Sequence, residues 1–97
     1  MKIRLLSPAR QDILDAAQFY ERQDPGLGLR FYRAVERAID ELVWQAGIHS
    51  RVGPRHMVKH VRTFPYAIYY HIEDGEIRVI AILDERRDPN LLTDRLQ

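Results

Sequence analysis

The basic side chains of this sequence are concentrated between residues 48 and 72. That stretch holds all four histidines and four further cationic residues but no Asp or Glu: His49, Arg51, Arg55, His56, Lys59, His60, Arg62 and His71. Only Lys2 and Lys59 are lysines among the 15 Lys and Arg residues of the chain. A guanidinium binds phosphate or carboxylate through two parallel hydrogen bonds, which an ammonium does not. Since a solvated surface normally mixes charges, the stretch indicates an anion-binding surface.

Two other interpretations of these residues can be weighed from spacing alone. Charged side chains on an edge strand discourage unwanted pairing, and Arg51 and Arg55 taken singly fit that role. A metal site is excluded because His56 and His60 lie on a predicted strand, where four residues span about 13 Å, too far for two ligands of one ion. The stretch also has no carboxylate to complete a ligand set. We therefore expect no metal and no other cofactor.

Length and composition indicate one ordinary globular domain over residues 1–97. The chain is 45% hydrophobic and 30% charged, with a net charge of +1 that conceals the basic stretch. Charges at Lys2 and Arg4 come too early for a secretory signal, and no uncharged stretch is long enough to cross a membrane. The absence of cysteine excludes disulfides and a cysteine nucleophile. We expect a cytoplasmic protein with no membrane partner.

Hydrophobic periodicity predicts one strand and two helices in the first half of the chain. A short strand over residues 2–6 is followed by Ser7-Pro8, which is typical of a helix start. The first helix ends at the breaker cluster 24–26, and the second runs from near Gly28 to Gly47 with apolar residues three and four apart. With about four residues between them, the two helices would form an antiparallel hairpin.

The second half of the chain reads as strands. Three are predicted, over residues 55–62, 66–72 and 77–83, and residues 90–96 form a short helix or a tail. The fold class is therefore α+β: a small, mainly antiparallel sheet of the N-terminal strand and three C-terminal strands, with the two-helix hairpin packed on one face. Periodicity does not identify the neighbour of the first strand.

Asp74-Gly75 predicts a two-residue hairpin turn between the last two strands, and this turn sets their register. Four pairs would then face the helices: Ile72 with Ile77, Tyr70 with Val79, Ile68 with Ala81, and Tyr66 with Leu83. The opposite face would carry His71 with Arg78, Tyr69 with Ile80, and Ala67 with Ile82. That face is more apolar than a solvated face usually is, which indicates that something covers it.

Several short strings occur in an order typical of one protein family. They are Ser7-Pro8-Ala9, Phe19-Tyr20-Glu21, Gly26-Leu27-Gly28, the run from Phe64 to Tyr70, the run from Ile80 to Leu83, and the run from Arg86 to Pro89. Together with the order of the elements, they resemble the RelE/ParE superfamily of type II toxin-antitoxin toxins, which includes plasmid-stabilisation proteins. The resemblance spans nearly the whole chain. It implies a small toxin held inactive by a cognate antitoxin.

The resemblance implies one of two activities. Members similar to RelE cut messenger RNA on the ribosome without a metal ion, which requires a proton carrier beside phosphate-binding cations. The candidates for that chemistry are His56, Lys59, His60, Arg62 and Arg86. However, residues 86–92 contain no tyrosine, whereas the ribonuclease members commonly place a tyrosine or another acid-base group there.

We therefore favour the other activity, in which members similar to ParE bind and inhibit DNA gyrase and have no active site of their own. The residues expected to contact the target are Arg55, Lys59, Arg62, Arg86 and Arg87. The ribosome and messenger RNA are the alternative target. A third interpretation is an inactive family member retained as a binding module.

The antitoxin is the other expected partner. An apolar surface rimmed by arginine suits an amphipathic acidic peptide, which the resemblance identifies with the antitoxin's C-terminal segment. The residues expected to bind it are Trp44, Tyr69, Arg78, Ile80 and Ile82, with Trp44 half exposed near the end of the second helix. A homodimer, or a covering by residues 89–97, would hide the same surface, and the expected assembly is a homodimer or a toxin-antitoxin hetero-oligomer.

Overall fold

A computed structural model describes residues 1–96 as a five-stranded sheet with three helices. The elements are β1 (Lys2–Leu5), α1 (Ser7–Gln23), α2 (Leu27–Gln45), β2 (Ser50–Val52), β3 (His56–His60), β4 (Tyr66–Glu73), β5 (Glu76–Asp84) and α3 (Pro89–Arg95). The predicted α+β class is confirmed, with the helical hairpin α1–α2 on one face of a mostly antiparallel sheet. The structure adds β2, whose three residues are too few to show a hydrophobic alternation. In the described part of the chain, no helix is both long and apolar enough to cross a membrane.

The strand order is β1-β5-β4-β3-β2, so β1 and β2 form the two edges of the sheet. β1 lies parallel to β5 and pairs only with its first four residues, Glu76 to Val79. The other neighbours are antiparallel. This arrangement identifies the neighbour of the first strand. It also leaves the second half of β5 with no strand on its outer side.

The hairpin α1–α2 depends on a glycine at the point where the helices touch. A Cβ atom on Gly28 would lie 2.5 Å from the carbonyl oxygen of Ala17, which is closer than real contacts allow. The Glu21 carboxylate accepts hydrogen bonds from the N–H groups of Gly26 and Gly28, at 3.0 and 3.1 Å. It thereby satisfies N–H groups at the start of α2 that have no partner within the helix.

The main core lies between this hairpin and the sheet. Its largest fully buried side chains are Tyr70, Phe31, Leu42, Ile68, Ile77 and Ile82. Burying each such side chain stabilises the fold by roughly 1.5–3 kcal/mol. Aromatic rings of α1, α2 and β4 pack together in it, and the ring centroids of Phe31 and Tyr66 are 4.9 Å apart.

The hairpin turn forms as predicted, because both Asp74 and Gly75 have positive φ, at 52° and 72°. The pairs Ile72–Ile77 and Tyr70–Val79 are confirmed. Beyond them the register shifts, and Tyr69 pairs with Ala81.

The shift is a β-bulge at Ile80, and it corrects part of the predicted register. One extra residue on β5 reverses the alternation beyond that point, so the predicted pairs Ile68–Ala81 and Tyr66–Leu83 are wrong. Ile82, expected on the face away from the helices, pairs with Ile68 and is 1% exposed in the main core. It therefore packs on the hairpin side of the sheet and not on the opposite face.

Candidate functional site

Arg86 and Arg87, which follow β5, differ in their contacts. Arg86 donates from Nε and a terminal nitrogen to both oxygens of Asp84, at 3.1 and 2.9 Å. The hydrogen bonds from Arg86 hold the pKa of Asp84 below its ordinary value. Arg87 is exposed and makes no ion pair within residues 1–96. The charge of Arg86 is thus neutralised locally, whereas Arg87 can still bind a partner.

Acidic residues from other elements lie beside the cationic residues of β3 and the turn after it. Lys59 Nζ donates to Gln45 Oε1 at 2.9 Å and lies 4.0 Å from Glu41. Its side chain is 11% exposed, so it packs against α2 and does not form a target-binding surface. The side chain of Arg62 is 81% exposed and lies 3.9 Å from Glu41. The stretch without acids is therefore partly neutralised in space.

The candidate histidines occupy opposite ends of β3. His60 forms an ion pair with Glu85, beyond the end of β5. His56 is buried beside His71, with ring centroids 5.6 Å apart. Burial, together with the nearby His71 and Arg55, lowers the pKa of His56.

The second buried histidine has no hydrogen-bond partner. Glu73 Oε2 is 3.3 Å from His71 Nε2, but neither ring nitrogen of His71 makes a hydrogen bond within the described chain. Glu73 is already paired with Arg78, at 2.7 Å, and with Arg55, at 3.7 Å. Among residues 1–96, no group of three or more His, Asp or Glu side chains could hold a metal ion.

The five residues considered for RNA cleavage therefore do not meet on one surface. His56 is buried on the outer face, the sheet face opposite the hairpin, where it packs on His71. Lys59 reaches α2 on the hairpin side. His60 and Arg62 border a small 110 Å³ depression, while Arg86 is bound to Asp84. Of the five, only His60 and Arg62 share a surface, and each of them lies beside an acid, Glu85 and Glu41 respectively.

A larger cavity lies beside the half of β5 that β1 leaves uncovered. We call it the cleft. Its volume is about 430 Å³, and residues of α1, β4, β5 and α3 line it. Phe19 and Leu91 contribute exposed apolar surface to its wall, at 51% and 44% exposure. A groove with exposed apolar side chains can accept the apolar face of a peptide.

Side chains take the place of a strand at this edge. The Asp12 carboxylate accepts a hydrogen bond from the N–H of Ile82 at 2.9 Å. It also accepts two from Arg95 of α3, at 2.9 and 2.8 Å. Arg95 in turn lies 3.4 Å from the carbonyl oxygen of Ile80, to which it donates. This network, the Asp12 latch, ties α1, β5 and α3 together.

The outer face has a cover within the chain itself. Ala67, Tyr69 and Ala81 are buried there, and Leu92 and Leu96 at the C-terminal end pack against them. The prediction that something covers this face is confirmed, and in the structure it is α3 with the residue after it. Tyr69 is 7% exposed and Ile80 is partly buried.

The remaining residues expected to bind an antitoxin do not extend this face into an arginine-rimmed surface. Arg78 is engaged by Glu73 and Glu76, at 2.7 and 2.8 Å. Trp44 is 87% exposed, more than expected, and lies at the end of α2 on the hairpin side of the sheet. The set expected to bind the antitoxin therefore combines residues that lie on separate surfaces of the fold.

The sequence matches one family model, described as the ParE toxin of the type II toxin-antitoxin system parDE, over residues 3–89. The chain belongs to the ParE toxin family. The predicted membership in the RelE/ParE superfamily is thereby confirmed, and membership implies an antitoxin partner. A comparison with curated proteins finds no match.

Among solved structures, this ParE-family chain is similar to a chain of the chromosomal ParDE toxin-antitoxin system from P. aeruginosa. The TM-score is 0.75 at 15% sequence identity, and the match covers 84% of this chain and 92% of the other. At that identity the likeness shows a shared fold.

Sequence reasoning missed most of the residues that build the cleft of this ParE-family protein, although Tyr69 and Ile82 of the expected set line it. Asp12 and Arg95 are separated by 83 positions, and neither lies in a motif. Phe19 belongs to one of the family strings, and nothing in the sequence indicates that its side chain is exposed. The one usable signal was the polar Asp12 immediately before the buried Ile13, which places a carboxylate at the border of the core.

Proposed function

We propose that this protein is a toxin that inhibits growth by binding DNA gyrase and that a cognate antitoxin neutralises it. The observation that carries the proposal is the dispersal of the basic residues over separate surfaces, with His56 buried and Arg86 bound to Asp84. Metal-independent RNA cleavage needs those groups together. The ParE family match supports a toxin that acts by binding.

Target binding uses the cationic side chains that remain exposed. Arg62 and Arg55 are 81% and 63% exposed at the side chain, and Arg87 has no ion pair within residues 1–96. Each carries a guanidinium suited to carboxylates or phosphates of a partner. Lys59 and Arg86, which are already bound within the chain, serve to hold α2 and the turn after β5.

Expression without antitoxin tests the proposed activity. We expect growth arrest with induction of the DNA-damage response and intact transcripts, and inhibition of supercoiling by purified gyrase. The double variant Arg62→Ala/Arg87→Ala should lose both effects. The matched control is Arg30→Ala/Arg33→Ala, which removes two exposed arginines of α2.

Two outcomes would contradict the proposal. Cleaved transcripts with unaffected supercoiling would indicate the ribonuclease activity. Absence of any growth arrest by the correctly folded protein would indicate an inactive binding module.

The antitoxin segment docks in the cleft. The cleft lies beside the uncovered half of β5, and the exposed faces of Phe19 and Leu91 offer apolar contact in its wall. An amphipathic segment that lays its apolar face into a groove uses such contacts. This location includes Tyr69 and Ile82 of the set expected from sequence, whereas Arg78 and Ile80 do not line the cleft and Trp44 lies on the hairpin side.

Co-expression with the product of the neighbouring antitoxin gene tests this location. Phe19→Asp should keep toxicity but weaken neutralisation, because it places a charge on the apolar wall of the cleft. Leu29→Asp is the matched control, since Leu29 is 52% exposed on α2 and does not line the cleft. Equal neutralisation of both variants would show that the antitoxin docks elsewhere.

A further inference from the structure

The free edge of the sheet at β2 differs in chemistry from the surfaces described so far. β2 pairs with β3 on one side and with no other strand in the described chain. In an antiparallel ladder, successive residues direct their N–H and C=O groups alternately towards and away from the neighbour. At least one of the three residues of β2 therefore presents free main-chain groups outward.

Large exposed apolar side chains lie on the segment that leads from α2 into this edge. Trp44 is 87% exposed and Ile48 is 78% exposed, and the chain enters β2 two residues after Ile48. The N–H of Ile48 donates to the carbonyl oxygen of Gln45 at 3.2 Å, so a tight turn separates the two side chains. Exposed apolar groups next to an unpaired strand edge are typical of an interaction surface.

The segment before β2 is tied to the core. The Tyr70 hydroxyl is 2.6 Å from His49 Nδ1 and accepts a 3.4 Å hydrogen bond from the N–H of Gly47. Tyr70 itself is fully buried. These contacts hold the β2 edge in a fixed position. Binding a partner there therefore costs less conformational entropy of the protein.

Charge determines which partner fits. Arg51, the central residue of β2, makes no ion pair within residues 1–96, and its one side-chain contact is a 3.4 Å hydrogen bond to the carbonyl oxygen of Pro54. It pairs across the ladder with Met57 of the main core, so its side chain leaves the sheet on the hairpin side, where Trp44 also lies.

A second copy of this chain fits the edge poorly. Antiparallel pairing of two complete β2 strands would set Arg51 opposite Arg51, and like charges directly opposite each other are destabilising. An acidic segment would instead set a carboxylate there.

We propose that the edge of β2, with Trp44 and Ile48 beside it, binds an extended acidic polypeptide segment by adding it to the sheet as a sixth strand. Main-chain hydrogen bonds to β2 supply the pairing. Arg51 pairs with a carboxylate, and an apolar side chain two residues further along the segment, which leaves the sheet on the same side, covers Trp44. This surface is separate from the cleft, and it does not depend on the proposed toxin activity.

The single tryptophan of the chain makes the test direct, because all indole fluorescence comes from Trp44. The probe is a capped seven-residue peptide, Thr-Val-Thr-Glu-Thr-Val-Thr, in which the Glu and Val side chains leave the added strand on one side. We expect it to shift the Trp44 emission to shorter wavelength in a saturable titration. The same peptide with Lys in place of Glu, and the Glu peptide with N-methyl groups on alternate residues, should each bind at least about tenfold more weakly.

Variants of the protein separate this site from general charge effects. Arg51→Glu should weaken the Glu peptide about tenfold and should improve binding of the Lys peptide. Arg30→Glu, at an exposed position near the start of α2, is the matched control and should bind like the unchanged protein.

Three results would overturn the proposal. The first is an unchanged emission spectrum with the Glu peptide, and the second is equal binding of the N-methylated peptide. The third is a dimer mass in light scattering that returns to the monomer mass in Trp44→Ser, since the edge would then be occupied by a second copy.

Discussion

The two edges of the sheet are completed in different ways. At the β5 edge, where β1 ends early, the Asp12 latch supplies an acceptor for Ile82 and α3 lies across the remaining strand. At the β2 edge, no further strand of residues 1–96 pairs with β2, and an exposed Trp44 lies at the end of the helix that precedes it. One edge is thus closed by partly buried polar contacts within the chain, and the other is left to solvent.

This difference shows two ways in which a small sheet avoids pairing with itself. The β5 edge satisfies its main-chain groups internally, so it contributes to the free energy of unfolding. The β2 edge is only three residues long and carries Arg51, and both features discourage self-pairing. We therefore expect substitutions to destabilise the protein strongly at the first edge and hardly at all at the second.

Removing the carboxylate of the Asp12 latch should have the largest effect. Asp12→Ala leaves the Ile82 N–H and the Arg95 guanidinium without their acceptor, so we expect a loss of about 3 kcal/mol in the free energy of unfolding. Urea denaturation followed by circular dichroism measures it. Asp15→Ala is the control, because Asp15 is exposed and bonds only Gln11. Equal losses for the two variants would refute the latch.

Detaching α3 from the outer face should have a smaller effect. Leu92 is partly buried against the Tyr69 cluster, so Leu92→Ala should cost about 1.5 kcal/mol in the same measurement. Leu91, its exposed neighbour, provides the matched control, and Leu91→Ala should cost less than about 0.5 kcal/mol. If Leu92→Ala were equally mild, α3 would not stabilise the β5 side.

The fold could be predicted where local sequence determines local geometry. Asp74-Gly75 supplies the two positive φ angles of its turn, and the apolar spacing of α2 marks one buried face. The bulge at Ile80 could not be predicted, because neither Gly nor Pro marks it and the strand stays apolar through it. It depends on how β5 packs against β4 and α1. A single inserted residue was enough to move Ile82 from the expected outer face into the core.

The site was harder to predict, because its decisive contacts join distant positions. The absence of acids between residues 48 and 72 predicts a basic surface, but in the structure Glu41 lies near both Lys59 and Arg62. His60 likewise pairs with Glu85, 25 positions away. Which acids approach which bases follows from the strand order, and the strand order was not available from periodicity.

Acidification should distinguish the two edges by the pH at which each weakens. Burial lowers the pKa of His49 and His56, which flank β2. Below the ordinary histidine pKa of 6.5, the unfolded chain binds protons that the folded chain resists, so stability falls as the pH drops from 6.5 through the lowered values.

The β5 side should respond only at lower pH. Hydrogen bonds from Arg86 lower the pKa of Asp84, so its contribution is complete above the ordinary value of 3.8 and disappears as the pH falls through the lowered value. Urea midpoints between pH 8 and pH 3 measure both phases. His56→Gln should reduce the loss of stability below pH 6.5 and leave the loss that Asp84 causes at lower pH unchanged. An unchanged slope in His56→Gln would mean that His56 is not the group that titrates.

Removing the indole at the β2 edge should have the smallest effect of all. Trp44 is 87% exposed, so Trp44→Ala should change the free energy of unfolding by less than about 0.5 kcal/mol. Leu42→Ala, two residues earlier on the same helix, is the contrasting control: Leu42 is fully buried, and its truncation should cost about 3 kcal/mol. A loss above about 1 kcal/mol for Trp44→Ala would mean that the indole packs against its own chain. The β2 edge would then be closed from within like the β5 edge, and the contrast between them would fail.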